Sequence, residues 1–267
     1  MYFNKCMTKL FNFLLSKKKM KFIFFDNILL FNNYYKMAEV NLNNNWTHIG
    51  VLIDRSGSMD SLNPNNTSQE LTKFIQEQSS DNNGKVTVTV ARFDDEYEVI
   101  LKNNPAQDTV ITAEDIKPRN MTALYESFCR LIDEIGDEIN GMKEEHPGKV
   151  IIVVLTDGEE NASKGIYEGE AGRKLLMQKI THQKEKYNWV FFFMGTNIDA
   201  LATGRNIGID TNTCINFGAS QQQCSKVLRT TSVQVSAIRN LSQDIMRNKE
   251  KLMEYASYSQ TQRKSCK

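Results

Sequence analysis

The stretch Ile49-Gly50-Val51-Leu52-Ile53-Asp54-Arg55-Ser56-Gly57-Ser58-Met59 constrains this chain more than any other. An apolar run that stops at an acid reads as a buried strand of a parallel sheet. Asp54 then lies at the strand's carboxyl end, where open α/β sheets place their sites. Asp54, Ser56 and Ser58 alternate, so a tight loop can point three oxygens at one spot. A carboxylate with two neutral hydroxyls suits a hard divalent cation that keeps some of its waters, such as Mg²⁺. A strand followed by an ordinary polar turn accounts for this stretch equally well, because Asp, Ser and Gly are common turn residues.

Two later stretches shift that balance. Asn120-Met121-Thr122-Ala123-Leu124-Tyr125-Glu126 sets a threonine at the start of a helical pattern. Val150 to Leu155 is a second apolar run, and Thr156-Asp157-Gly158 follows it. In this order the three stretches resemble the metal-ion-dependent adhesion site (MIDAS) of von Willebrand factor A-type domains. That pattern is Asp-x-Ser-x-Ser, then a distant Thr, then a distant Asp, and it is matched by Asp54, Ser56, Ser58, Thr122 and Asp157. The resemblance covers the chain from Trp46 to Phe217 and implies a metal-dependent protein-binding module. It implies Ser56 and Ser58 as direct ligands of Mg²⁺ or Mn²⁺, and Thr122 as a ligand that changes with the state of the site. Asp54 and Asp157 would neutralise the ion and orient its waters. A partner protein would add an Asp or Glu carboxylate. Taken singly, each piece has a plain explanation: Asp157-Gly158 as a turn, Thr122 as a helix cap.

The chain's periodicities are consistent with that reading. Thr67 or Ser68 is expected to cap a helix that runs to Ser80, with Leu71, Phe74, Ile75 and Gln78 on one face. Lys85–Phe93 and Tyr97–Leu101 read as an antiparallel hairpin turned by Asp94-Asp95-Glu96. Helices are expected over Thr122–Ile139 and Glu170–Lys186, and strands over Lys149–Thr156, Trp189–Met194 and Thr213–Phe217. Strands alternating with helices predict a doubly wound α/β fold. The resemblance adds detail: a mostly parallel six-stranded sheet, one antiparallel edge strand and helices on both faces. Glu159, Glu160 and Asn161 read as a solvated loop or as a rim that selects partners. Asn197 and Asp199 could shape the same rim, although helix capping is their simpler role. Residues 37–218 are thus the expected domain. Residues 219–267 are expected to be a helical extension, with amphipathic spacing at Val227, Val235, Ile238, Leu241 and Ile245, ending in a frayed Ser/Gln/Lys-rich tail from Tyr255.

The net charge of +1 gives no general attraction to nucleic acid. It is unevenly spread: residues 1–36 hold seven lysines against Asp26, a balance of +6, which leaves −5 for the rest. That basic segment lacks clean periodicity, and Phe22–Phe31 is too short and too polar to span a bilayer. It reads as an upstream extension before a natural start at Met37, with a basic membrane-surface anchor as the rival. The five cysteines are scattered and form no Cys-x-x-Cys or Cys/His cluster, which argues against zinc and for free thiols in the cytoplasm. Enzyme readings lack their signatures. There is no phosphate-binding Gly-x-x-x-x-Gly-Lys loop, no Asp-x-Asp at Asp54, and no Ser or Cys elbow for His48, His146 or His182. A Mg²⁺-dependent phosphatase or phosphoryl-transfer enzyme on an α/β sheet remains the alternative.

Overall fold

The computed structural model describes residues 42–80 and 84–267. The basic segment 1–36 and the start at Met37 lie outside the described residues. Six strands form one sheet: β1 (Leu42–Asp54), β2 (Lys85–Phe93), β3 (Tyr97–Pro105), β4 (His146–Thr156), β5 (Val190–Gly195) and β6 (Cys214–Asn216), in the order β3-β2-β1-β4-β5-β6. Every neighbouring pair is parallel except β2 and β3, the hairpin at one edge.

Strand alternation divides the core between two faces. Ile49, Val51 and Ile53 of β1 join Val86, Val88 and Val90, Ile151, Val153 and Leu155, and Phe192 on one face. Helices α1 (Pro64–Glu77) and α5 (Gln221–Arg239) cover it. Leu52, Ile152, Val154, Phe191 and Phe193 point the other way, under α2 (Leu124–Asn140), α3 (Gly169–Tyr187) and α4 (Ala200–Asn206). Gly50 lies under α2, where a Cβ would run into the side chains of Ile135 and Ile152, so the lack of a side chain lets helix and sheet close.

Two local expectations need correction. Helix α1 begins earlier than predicted: Asn63 is its cap, accepting from Asn66 N–H, and Pro64 takes the first position. Proline there is already set for helical φ and lacks only an amide that would go unbonded. Thr67 and Ser68 are therefore inside the helix and buried.

The tail is packed, not frayed. After α5 come α6 (Gln243–Arg247), α7 (Lys249–Ala256) and α8 (Gln260–Ser265). Ser259 and Gln262 form a reciprocal capping box at the start of α8. Tyr258 is buried, its ring set edge-on to Phe192 at 5.7 Å and its hydroxyl 2.7 Å from that of Thr231. Arg263 donates to the carbonyls of Cys214, Thr211 and Asn212 at 2.5, 2.9 and 2.9 Å. These bonds satisfy backbone at the β6 edge, and Gly218 N–H to Cys266 C=O at 2.8 Å closes the segment. The polar composition of the tail concealed its anchors because each partner lies far away in sequence. No helix among the described residues is long and apolar enough to cross a membrane.

Candidate metal centre

β1 and β4 end side by side, and the chain order reverses between them. α/β sheets open their crevice at such a point. The Asp54 carboxylate is fully buried there. Its Oδ1 accepts the Ser56 N–H at 2.7 Å, and its Oδ2 accepts the Thr156 hydroxyl at 2.5 Å. The first bond folds the loop into an Asx-type turn. The Ser56 and Ser58 hydroxyls then lie 3.1 Å apart. Ser58 donates to Asp157 Oδ1 at 2.6 Å, joining the first loop to the loop after β4. The other oxygen, Asp157 Oδ2, is buried without a hydrogen-bond partner.

Thr122 comes from a third loop. Gly158 fixes its place: a Cβ there would meet Thr122 Oγ1 at 2.7 Å and Ser58 Oγ at 3.3 Å. The bare Cα leaves a cradle faced by both hydroxyls. All five residues of the motif thus come together at one spot, two carboxylates and three hydroxyls from three loops. Among the described residues, no group of three or more His, Cys, Asp or Glu converges to hold a metal, so the hydroxyls are an essential part of this donor set.

Thr122 does not cap α2. Ala123 stands at the cap position and supplies no side-chain bond. The first amides of the helix are met from the loop after β4 instead: Tyr125 N–H donates to Glu160 Oε2 at 2.8 Å, and Glu126 N–H to Ser163 Oγ at 3.0 Å. Thr122 N–H donates to Asn161 Oδ1 at 2.8 Å, while Thr122 C=O accepts from Asn161 and Ala162 N–H at 2.9 and 3.1 Å. The Glu159-Glu160-Asn161 stretch is therefore not simply a solvated loop or a rim. Glu160 and Asn161 clamp the threonine segment, and Glu159 alone of the three makes no bond to it. Asp199 caps α4 through Leu201 and Ala202 N–H.

Burial pushes the Asp54 carboxyl up to about 6, against the bonds from Thr156 and Ser56 and with help from the neighbouring Asp157 charge. Burial also raises Asp157, against the Ser58 bond. Two buried carboxyls held above their ordinary range share one crevice.

Nothing in the motif order points to the charged network behind the first loop. Arg55 points away from the oxygens of Asp54 and Ser56, as alternation along an extended chain requires. It is buried, with Nε 3.0 Å from Asp94 Oδ2 and Nη2 3.1 Å from Glu98. Arg119 also donates to Asp94 Oδ2, and to Glu96 at 2.5 Å. Burial opposes the Asp94 charge, but the Arg119 bond, the Glu96 amide and Arg55 outweigh it and leave the carboxyl below its ordinary range.

The mostly parallel six-stranded sheet with one antiparallel edge strand is what the resemblance implies, and its strands run in the order 3-2-1-4-5-6 with the oxygen-bearing loops at their carboxyl ends. The fold is of the von Willebrand factor A type. No family model matches the chain, and no curated protein matches it in sequence. Solved structures do resemble it in shape. The pilus adhesin SpaC from Lactobacillus rhamnosus GG, in an open conformation, has a TM-score of 0.52 at 12% identity, over 74% of this chain and 30% of that one. The PilB minor pilin from Streptococcus sanguinis has a TM-score of 0.50 at 10% identity, over 77% and 64%. Proximal thread matrix protein 1 from the mussel byssus, in a structure described as having a zinc-occupied MIDAS motif, has a TM-score of 0.48 at 19% identity, over 72% and 47%. The chain spans less than two thirds of each of these proteins. At such identities the likeness concerns the fold alone.

Proposed function

We propose that this vWA-type domain captures a carboxylate of a partner protein through Mg²⁺ or Mn²⁺ held at the Asp54 crevice. One observation carries the reading: five oxygen-bearing side chains from three loops converge, and Asp157 Oδ2 is buried among them without a partner. The donor set fits a hard cation, since every candidate ligand is oxygen and none is sulfur or imidazole. Bound there, the cation would supply an electrophilic centre for an incoming carboxylate oxygen. Asp54 and Asp157 supply the negative charge that offsets it. Ser56, Ser58 and Thr122 add donors without formal charge, which leaves room for an anionic ligand from outside. Gly57 and Ser58 are exposed while Asp54, Ser56, Thr122 and Asp157 are buried, so a partner approaches from the side of the first loop.

Binding is favoured over catalysis because both acids are engaged within the site. Asp54 is bonded by Thr156 and Ser56, and Asp157 by Ser58. Both oxygens of Asp54 are thus occupied, and the one open oxygen, Asp157 Oδ2, is buried among the candidate ligands, where a cation rather than a substrate proton would meet it. We also place this capture in the cytoplasm, a reading supported by four buried, unpaired cysteines at 129, 214, 224 and 266.

A peptide-display selection tests the proposal. On wild-type protein in Mg²⁺ it should return binders that contain Asp or Glu, lose binding when the acid becomes its amide, and elute with EDTA. Thr122→Ala should weaken them. Enriched binders that lack an acid and survive EDTA would contradict the reading.

A further inference from the structure

The third loop of the site is tied to the first by a closed circuit that does not involve the five candidate ligands. Arg55 reaches Asp94 with its side chain, and Asp94 is gripped by the Arg119 side chain. Arg119 N–H then donates back to the Arg55 carbonyl at 2.8 Å. The bonds that follow run toward the candidate ligand. Asn120, left-handed at φ 56°, turns its carbonyl to the Gly57 N–H at 3.0 Å. Ala123 N–H donates to the Asp94 carbonyl at 2.7 Å. Thr122 therefore sits between two fixed points, Asn120 on the first loop and Ala123 on the Asp94 carbonyl, while the Asp94 carboxylate holds Arg119.

The two arginines differ in what they can do. The Arg55 side chain is 5% exposed and sealed beneath the loop, whereas that of Arg119 is 41% exposed at the crevice rim. Arg119 spans two carboxylates, Asp94 and Glu96, with a planar fork that a lysine cannot reproduce. The Arg119–Glu96 pair is exposed and adds little to global stability, and the buried Asp94 keeps Arg55 beside it when Arg119 is removed. Spending two charge-assisted bonds on a rim residue immediately before Asn120-Met121-Thr122 has a local consequence: it restricts where the threonine hydroxyl can go.

We propose that Arg119, anchored on Asp94 and Glu96, is a positioning residue for the metal centre: it holds the Thr122 segment against the Asp54 loop and thereby sets the affinity of the site for its cation. This rests on the metal-binding reading above and adds a residue outside the motif. Residues that orient metal ligands typically account for about 10–100-fold in affinity, and Arg119 should fall in that range. The pair also predicts a graded response, with Lys restoring one of the two bonds.

The experiment is calorimetric titration of Mn²⁺ into wild type, Arg119→Ala, Arg119→Lys and, as a remote control for loss of a surface ion pair, Arg173→Ala, whose side chain binds Glu170. Each protein is also melted without metal. Arg119→Ala should bind at least about tenfold more weakly, Arg119→Lys should fall between it and wild type, and Arg173→Ala should match wild type. All four should melt within a few degrees of one another without metal. Equal Mn²⁺ affinity in wild type and Arg119→Ala would overturn the proposal, as would weakening that tracks a metal-free loss of stability of the same size. A wild type that binds no Mn²⁺ would remove the metal reading itself, and this inference with it.

Discussion

At the scale of single residues, the structure separates groups that hold the fold from groups aimed at the site. His48 belongs to the first kind. It is buried in β1 with Nδ1 2.9 Å from the Thr87 hydroxyl, and that hydroxyl already accepts the Trp46 indole N–H at 2.9 Å. Thr87 is therefore free to donate to a neutral imidazole, and burial lowers the His48 pKa to about 4. An unfolded histidine takes up its proton near 6.5, so the unfolded chain binds more protons between pH 6.5 and 4. The stability that neutral His48 provides is complete above that window and is lost as pH falls through it, by about 3 kcal/mol in all. His48→Gln should flatten that part of the acid limb in melts run from pH 7 to pH 4. A variant with the same acid slope as wild type would show that other groups carry it. The five motif residues were legible in sequence because type and order alone identify them. Asp94 and Arg119 were not, since their meaning lies in a contact between two loops. Glu160 and Asn161 were misread for the same reason: nothing local says that an acid after Asp157 will serve a helix that starts at Leu124.

At the scale of elements, strands and amphipathic helices were visible because their periods are local, and helix starts were less so. Asn63-Pro64 is a start signal of the ordinary kind, masked by the stronger look of Thr67-Ser68. The C-terminal helices show a different limit. Lys149 of β4 is buried and donates to the carbonyls of Arg239 at 2.7 Å and Asn44 at 3.1 Å, tying the end of α5 to the sheet. Tyr258 and Arg263 then close the β6 edge. Removal of residues 257–267 takes away a buried aromatic, typically about 3–5 kcal/mol, and lowers the melting temperature by roughly 10 °C in a domain of this size. It also uncovers a strand edge, so the shortened protein should aggregate as it unfolds. Calorimetric and light-scattering melts of the two lengths check this, and matching curves would show that the tail contributes nothing.

At the scale of the whole molecule, the sheet is a device for bringing three distant loops to one point. β1 and β4 run parallel and in register from Thr47 and Lys149 to Ile53 and Leu155, which sets Asp54 beside Thr156 and Asp157. The turn after β2 and the start of α2 bring Thr122 in from the third side. No ligand set exists until the sheet has folded, so a cation that binds it stabilises the native state by mass action. The most direct test is the melting temperature of wild type, Asp157→Ala and Gly158→Ala with and without millimolar Mn²⁺, above pH 7 so that Asp54 is ionised. Wild type should melt higher with Mn²⁺ and return to its metal-free value in EDTA. Asp157→Ala, which loses a carboxylate, and Gly158→Ala, whose methyl would crowd the Thr122 hydroxyl, should remain folded without that response. Identical melting of all three with and without Mn²⁺ would contradict a metal centre at the Asp54 crevice.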